Sequence, residues 1–199
     1  MVERHGLIGD HSALSDHEKR LLLSFARRSI EYRLDGRDLI FDPAGIPESL
    51  LRPWGAFVTV RIDESLRGCI GTIVPDTPLY ETVAENAVSA AFRDPRFPPL
   101  TRAELPQTVL EISVLGPIEQ LDDLEALVIG RDGLIVRDGE RAGLLLPQVA
   151  TELAWDRDTF LSHACLKAGL PADRWRNRGC RIEKFPALVF SESDSKQIT

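Results

Sequence analysis

Two short alternating segments joined by a tight turn constrain the fold of this chain more than any other feature. In "AFVTVRI", residues 56–62, apolar side chains alternate with Phe57, Thr59 and Arg61. After the turn "DESL", the segment "RGCIGTIV", residues 67–74, alternates again and ends before Pro75. A period of two residues is typical of a strand with two different faces. The two segments therefore predict an antiparallel β-hairpin.

The residues after the hairpin predict what covers it. A helix over about 78–92 carries apolar and alanine residues at helical spacing, and small residues allow close approach to a sheet. The segment "TVLEISVL", residues 108–115, predicts a further strand. We expect the helix to cover one face, which carries Val58, Val60, Ile70, Val74, Ile112 and Val114. The opposite face would then carry Thr59, Arg61, Arg67, Cys69, Glu111 and Ser113.

The rest of the chain predicts a similar plan. A first helix over 15–34 has Ser15 or Asp16 as its N-cap and ends near Gly36. Residues 132–147 read as strand, tight turn "RDGE", strand and proline. A helix over about 158–168 follows, with Asp158 as N-cap and Gly169 as its stop, and "RIEKFPALVF" supplies a closing strand.

These elements predict an α+β fold: a largely antiparallel sheet with flanking helices. Two β-hairpin–helix–strand pseudo-repeats would cover about 55–116 and 127–190, within a single domain over 15–190. Residues 1–14 are interpreted as an N-terminal extension and residues 191–199 as a flexible tail.

Composition excludes several classes of function. The net charge of −7 and the absence of a Lys/Arg block argue against nucleic-acid binding. No apolar run has the length of a membrane span, and the N-terminus lacks the apolar core of a secretory signal. Three widely spaced cysteines make no disulfide framework, so we expect a cytoplasmic protein with reduced thiols. No histidine spacing or glycine-rich phosphate loop predicts a metal or a cofactor.

Cys69 is the first candidate for chemistry, and two interpretations are open. Arg67 lies two residues away, and a nearby cation lowers the pKa of a thiol. Gly68 and Gly71 would leave room for a substrate. Alternatively, Cys69 is a small, half-buried residue in a strand that packs closely against its neighbours.

The predicted polar face extends this candidate site. Arg61, Arg67, Cys69 and Glu111 could together hold an anionic or amide substrate. The alternative is an ordinary solvated sheet face with cross-strand Arg–Glu pairs.

Two further motifs offer weaker candidates. His163 could activate Cys69 as a base, although nothing in the sequence shows that the two meet. Because His163 and Cys165 point to different sides of a helix, they do not form a metal site together. Asp94 and Arg96, in "DPRF", predict a capping turn with a local ion pair, or the edge of a cleft.

Several of these segments, taken in order, resemble a known family. "LRGCIGTI", "AFRDPRFPPL", "LEISVLGP", "GLLLPQVA" and "CLKAGL" are similar to motifs of the AMMECR-one family, also called AmmeMemoRadiSam system protein A. The similarity runs from about residue 56 to residue 190. It implies an α+β fold with a larger and a smaller subdomain, and an association with Memo-like and radical SAM proteins.

The resemblance also implies where a site would lie. The family's "RGCIG" signature falls on Arg67, Gly68, Cys69, Ile70 and Gly71. Its acidic strand position matches Glu111, and its "DxRF" motif matches Asp94, Arg96 and Phe97. His163 matches no position of the family motifs.

Two hypotheses follow. The first is a protein that binds a small molecule, peptide or partner at the RGCIG strand and acts with Memo-like and radical SAM proteins. The second is an enzyme that uses Cys69 as nucleophile or redox thiol, with Arg67 lowering its pKa and Glu111 as acid/base.

Overall fold

The computed structural model describes residues 14–37, 40–42 and 44–194, which form two compact units. The larger unit contains the described residues up to Leu115 and those from Leu188 onward. The smaller unit contains residues Gly116–Ala187. Among the described helices, none combines the length and the apolar character needed to cross a bilayer.

The larger unit begins with helix α1, Asp16–Leu34. Ser15 is its N-cap: the Ser15 side chain accepts from the Glu18 backbone, and the Glu18 carboxylate accepts from the Ser15 backbone. This reciprocal capping box satisfies two donors that the first helical turn leaves unpaired. The chain leaves the helix through Gly36, whose φ of 71° glycine adopts without the steric cost that a Cβ brings. The first predicted helix is thus confirmed.

The predicted hairpin forms strands β1, Ala56–Ile62, and β2, Ser65–Thr72. Helix α2, Leu79–Phe92, and strand β3, Thr108–Leu115, follow. β1 pairs with both β2 and β3 in antiparallel register, and β2 is the edge strand. The prediction placed the second strand too late: Asp63 and Glu64 alone form the turn, with φ of 48° and 67°. Val74 therefore lies beyond the end of β2 and is 78% exposed, rather than on the helix-covered face.

A β-bulge interrupts the hairpin. Val60 pairs with Gly68, whereas Arg61 pairs with Leu66, so Arg67 is the extra residue of β2. A bulge redirects the extra side chain and increases the local twist of the strand. Simple alternation therefore does not fix the direction of Arg67.

Helix α2 covers the apolar face of the sheet, as predicted. Val58, Val60, Ile112 and Val114 are at most 1% exposed and belong to the same core as the alanines of α2. Helix α1 packs on α2 and contributes Leu22, Ala26 and Ile30 to this core.

The smaller unit contains two helices, three strands and most of a fourth strand. Its elements are β4, Glu119–Gln120; β5, Asp132–Asp138; β6, Arg141–Leu145; α3, Pro147–Glu152; α4, Arg157–Lys167; and β7, Arg181–Ser191. β5 pairs with β6 and β7, and β4 pairs with β7. In each unit the first strand of the hairpin is therefore central.

Short 3-10 helices occur in both units, at Glu48–Leu51, Leu105–Gln107, Leu124–Ala126 and Arg174–Arg176.

Helix α4 begins earlier than its sequence pattern predicts. Its N-cap is Asp156, whose carboxylate accepts from the Thr159 backbone at 2.8 Å. Asp158, the predicted N-cap, lies inside the first turn and pairs with Arg176 at 2.8 Å. The predicted stop is confirmed, because Gly169 follows the helix with a φ of 69°.

The last strand reaches into the larger unit. From Leu188, β7 belongs to that unit and neighbours β3. Glu192, which the sequence assigned to the flexible tail, is bonded through both its backbone and its side chain to Leu110. Residues 1–13 and 195–199 lie outside the described residues.

Candidate functional site

The two glycines of the RGCIG strand are explained by packing. A Cβ added at Gly68 would lie 2.0 Å from the backbone oxygen of Ala90, so β2 approaches α2 at this point more closely than any side chain allows. A Cβ at Gly71 would lie 2.2 Å from the ring of Phe57, which is opposite it on β1. Neither position therefore accepts a larger residue without movement of its neighbours.

The backbone of Cys69 is held by the "DPRF" turn. Its N–H donates to Asp94 Oδ2 at 2.9 Å, and its carbonyl accepts from Arg96 Nη2 at 3.3 Å. Asp94 and Arg96 also form the local ion pair expected from the sequence, at 2.6 Å. The guanidinium of Arg96 and two backbone N–H groups hold the pKa of the buried Asp94 carboxyl far below its usual range.

The Cys69 side chain lies on the face opposite α2. Thr59 is opposite Cys69 on one side and opposite Glu111 on the other, so these three residues form one row across the sheet, as predicted. The Thr59 hydroxyl donates to Cys69 Sγ at 3.3 Å. Burial raises the pKa of the Cys69 thiol, and this effect outweighs the opposing effects of the Thr59 hydrogen bond and the Arg96 charge.

Arg67 does not have the role that the sequence suggested. Its guanidinium donates to Glu104 Oε1 at 2.9 Å and to the carbonyl of Pro98 at 2.8 Å. The prediction that Arg67 lowers the pKa of Cys69 is therefore wrong, because the bulge directs this side chain to Glu104. The bond from Arg67, with those from Thr101, lowers the pKa of Glu104 to about 2. Glu104 went unnoticed in the sequence because nothing there indicates the bulge.

The remaining predicted site residues are dispersed. Arg61 donates to the carbonyl of Glu64 in the hairpin turn at 3.3 Å. His163 belongs to the smaller unit, where its ring stacks on Trp155 with 3.9 Å between the centroids. The charges of Asp94, Arg96 and Glu111 thus act on the Cys69 thiol, whereas the side chain of Arg61, although on the neighbouring strand, bonds to the hairpin turn. Within the described part of the chain, no three His, Cys, Asp or Glu side chains form a cluster that could hold a metal ion.

A groove of about 690 Å³ lies beside the end of the RGCIG strand. Ile70, Gly71 and Thr72 form its β2 wall. Helix α2 contributes Glu81, Ala84, Glu85, Asn86, Val88 and Ser89. The groove is completed by Arg93, the C-cap of α2, and by Ser29, Arg33 and Phe41. Such a volume is in the range of pockets that bind small molecules.

Asn86 fixes the floor of this groove. Its amide donates to the carbonyl of Ala56 at 3.0 Å, and its Oδ1 accepts from the Thr72 hydroxyl at 3.2 Å. This arrangement ties α2 to both strands of the hairpin. The sequence predicted this helix but not the groove, although Glu85, Ser89 and Arg93 recur at a helical spacing of four. That polar stripe is the signal that could have indicated it.

Comparisons with known proteins give the chain a family. The sequence model of the AMMECR1 family matches residues 23–190. A protein of Thermofilum pendens is 44% identical over 92% of this chain and 93% of its own length. Protein MJ0810 of Methanocaldococcus jannaschii is 42% identical, over 92% of this chain and 94% of its own.

A solved structure agrees with this match. The crystal structure of an uncharacterized protein, PH0010 from Pyrococcus horikoshii, is similar with a TM-score of 0.86 and 40% identity. The similarity covers 90% of this chain and 93% of that one. The resemblance expected from the ordered motifs is confirmed, and the chain belongs to the AMMECR1 family.

Proposed function

We propose that this protein binds a small polar molecule or a short peptide in the groove beside the RGCIG strand, and that it acts in the cytoplasm with Memo-like and radical SAM proteins. The observation that carries the binding proposal is the groove itself, since it joins the family's signature strand to a polar stripe of α2. The two partner proteins come from the resemblance.

The chemistry around Cys69 favours binding over catalysis. A nucleophilic or redox thiol needs a lowered pKa and access. Here burial raises the pKa of Cys69, and the guanidinium groups of Arg96 and Arg67 form ion pairs with Asp94 and Glu104. The strand is therefore built as a fixed wall beside the groove.

A ligand screen with a blocked groove tests the binding proposal. We would screen a library of polar fragments below about 250 Da by ligand-observed NMR, a mass suited to a pocket of this class. Ser89→Trp fills the groove, whereas Ser24→Trp places the same side chain on an exposed position of α1 outside it. We expect a subset of fragments to bind the wild type and Ser24→Trp but not Ser89→Trp.

The proposal fails if Ser89→Trp loses no fragment that the wild type binds, provided that its circular dichroism spectrum is unchanged. Co-expression of the tagged chain with the Memo-like and radical SAM proteins of the same genome tests the partners separately. Co-elution of either partner would support that part of the proposal, and elution of the chain alone would contradict it.

A further inference from the structure

The edge of β2 is closed at one residue and open at another. Cys69 uses its N–H and C=O on Asp94 and Arg96, so both groups point away from β1. In an antiparallel pair, residues two apart on a strand point their backbone groups to the same side. The N–H and C=O of Gly71 therefore also point away from β1, at the edge where β2 has no neighbouring strand.

The groove lies along this open edge. Gly71 lines it, and no described group outside the sheet bonds the Gly71 backbone. An edge strand with an open N–H and C=O can pair with an extended chain. Asp94 and Arg96 already show how this edge accepts partners, because they supply Cys69 with the acceptor and the donor of an absent strand.

Charged and polar groups without partners surround the open edge. The side chains of Glu85, Ser89 and Arg93 make no hydrogen bond or ion pair within the described part of the chain. Ser29 also lines the groove, and its buried hydroxyl has no hydrogen-bond partner within the described part of the chain.

We propose that the occupant of this groove is an extended peptide of about three residues with a free carboxylate, since Glu85 on α2 and Arg93 at its C-cap are eight residues apart, about 12 Å along the helix axis. Its backbone pairs with Gly71, its carboxylate binds Arg93, and its ammonium group lies towards Glu85. This inference rests on the proposed binding function and names the class of ligand.

The chemistry of the groove selects this class. A peptide group presents one donor and one acceptor, which match the N–H and C=O of Gly71. An arginine guanidinium binds a carboxylate through two parallel hydrogen bonds, and such charge-assisted bonds are stronger than neutral ones. The opposite charges of Glu85 and Arg93 would also set the direction of the bound peptide.

A peptide titration followed by NMR tests the inference. The probes are trialanine, its C-terminal amide, its N-acetyl derivative, and a pool of Ala-X-Ala peptides, added to the 15N-labelled full chain. We expect the amide resonances of Gly71 and Ser89 to shift with trialanine or the pool. Blocking the carboxylate as an amide should weaken binding at least about tenfold, and N-acetylation should weaken it less.

Two arginine variants test whether Arg93 binds the carboxylate of the peptide. In Arg93→Gln, the free acid and the amide should bind equally weakly. Arg178→Gln removes an exposed arginine of the smaller unit and should leave the tenfold preference intact.

The remaining outcomes contradict the role of Arg93, the peptide ligand or the binding function. Equal binding of acid and amide to the wild type overturns the role of Arg93. No peptide binding while fragments still bind in a Ser89-dependent manner overturns the peptide inference and leaves the proposed function standing. No binding of either peptides or fragments overturns both.

Discussion

At the scale of single residues, Cys69 is defined more by its backbone than by its thiol. Its N–H and C=O are bonded to Asp94 and Arg96. A side chain at the nearby Gly68 or Gly71 would overlap the residues packed against the strand. Substitution at any of these positions would disturb the junction between β2, α2 and the "DPRF" turn.

The raised pKa predicts slow alkylation of Cys69. At pH 8 a higher pKa leaves less thiolate, so iodoacetamide should label Cys69 more slowly than a free thiol with a pKa of about 8.5. Mass spectrometry separates Cys69 from Cys165 and Cys180, and labelling in urea gives the rate for the exposed thiol. Rapid labelling in the folded protein, with an apparent pKa well below that of a free thiol, would instead favour the cysteine-dependent enzyme.

The ion pair between Arg67 and Glu104 predicts a specific loss of stability in acid. The pKa of Glu104 is about 2 in the folded protein, against a usual value of 4.5. Because the folded pKa is the lower one, the contribution is complete above pH 4.5 and is lost as the pH falls towards 2. Glu104→Gln should therefore destabilise the protein by about 1 kcal/mol at pH 7, and by progressively less below pH 4.5.

Urea unfolding between pH 3 and pH 7 measures this difference. In an Arg67→Gln background, Glu104→Gln should have a smaller effect that varies less with pH, because the largest cause of the lowered pKa is gone. A difference between wild type and Glu104→Gln that stays constant down to pH 3 would contradict the assignment.

At the scale of elements, helix α4 begins two residues earlier than the sequence predicts, because its N-cap is Asp156 and not Asp158. Asp156 caps the helix, whereas Asp158 makes an exposed ion pair with Arg176. Asp156→Ala should reduce the free energy of unfolding by about 1 kcal/mol, the usual cost of losing an N-cap. Asp158→Ala is the matched control and should cost less than about 0.5 kcal/mol. Urea unfolding of the two variants compares these costs. A larger loss of stability for Asp158→Ala would indicate that Asp158, as the sequence predicted, is the N-cap.

Elements with strong local patterns were predicted closely, and those with weak ones were not. The seven residues of β1 and the eight of β3 were predicted with the bounds that the structure has. Helix α3 was missed because its six residues are too few to show a helical period. The bulge at Arg67 was missed because it depends on the register between two strands, which alternation alone does not specify.

At the scale of the molecule, an arginine near the start of the larger unit holds the residues near its end. Arg27 on α1 binds Glu192 through Nε at 2.9 Å and through Nη2, and it donates to the Thr108 hydroxyl at 2.6 Å. Arg27 and Glu192 are 165 residues apart, so no local pattern could have predicted this contact.

Removal of this contact should destabilise the larger unit. We expect Arg27→Ala to lower the free energy of unfolding by about 2 kcal/mol, since hydrogen bonds to charged groups are worth about 1.5–3 kcal/mol. Arg28→Ala, the exposed neighbour on the same helix, should lower it by less than about 0.5 kcal/mol. Urea unfolding of both variants at pH 7 makes the comparison, and equal effects would mean that Glu192 is held by its backbone alone.

The candidate site was predictable only in part, for the same physical reason. The polar row of Thr59, Cys69 and Glu111 follows from strand alternation and was anticipated. The groove was not, because it depends on how α1, α2 and the edge of β2 approach one another. Its free arginine, Arg93, is indistinguishable in the sequence from any other helix-terminal cation.

The path of β7 has a consequence for how the chain is made. The larger unit needs residues 188–192 beside β3 and at Arg27, yet residues 116–187, which build the smaller unit, come before them in the chain. A ribosome therefore releases α1, the first hairpin and α2 long before the segment that completes their sheet. During translation the smaller unit can fold while β3, which was synthesised earlier, is still without its partner strand. That strand is complete only when residues 188–191 have been synthesised.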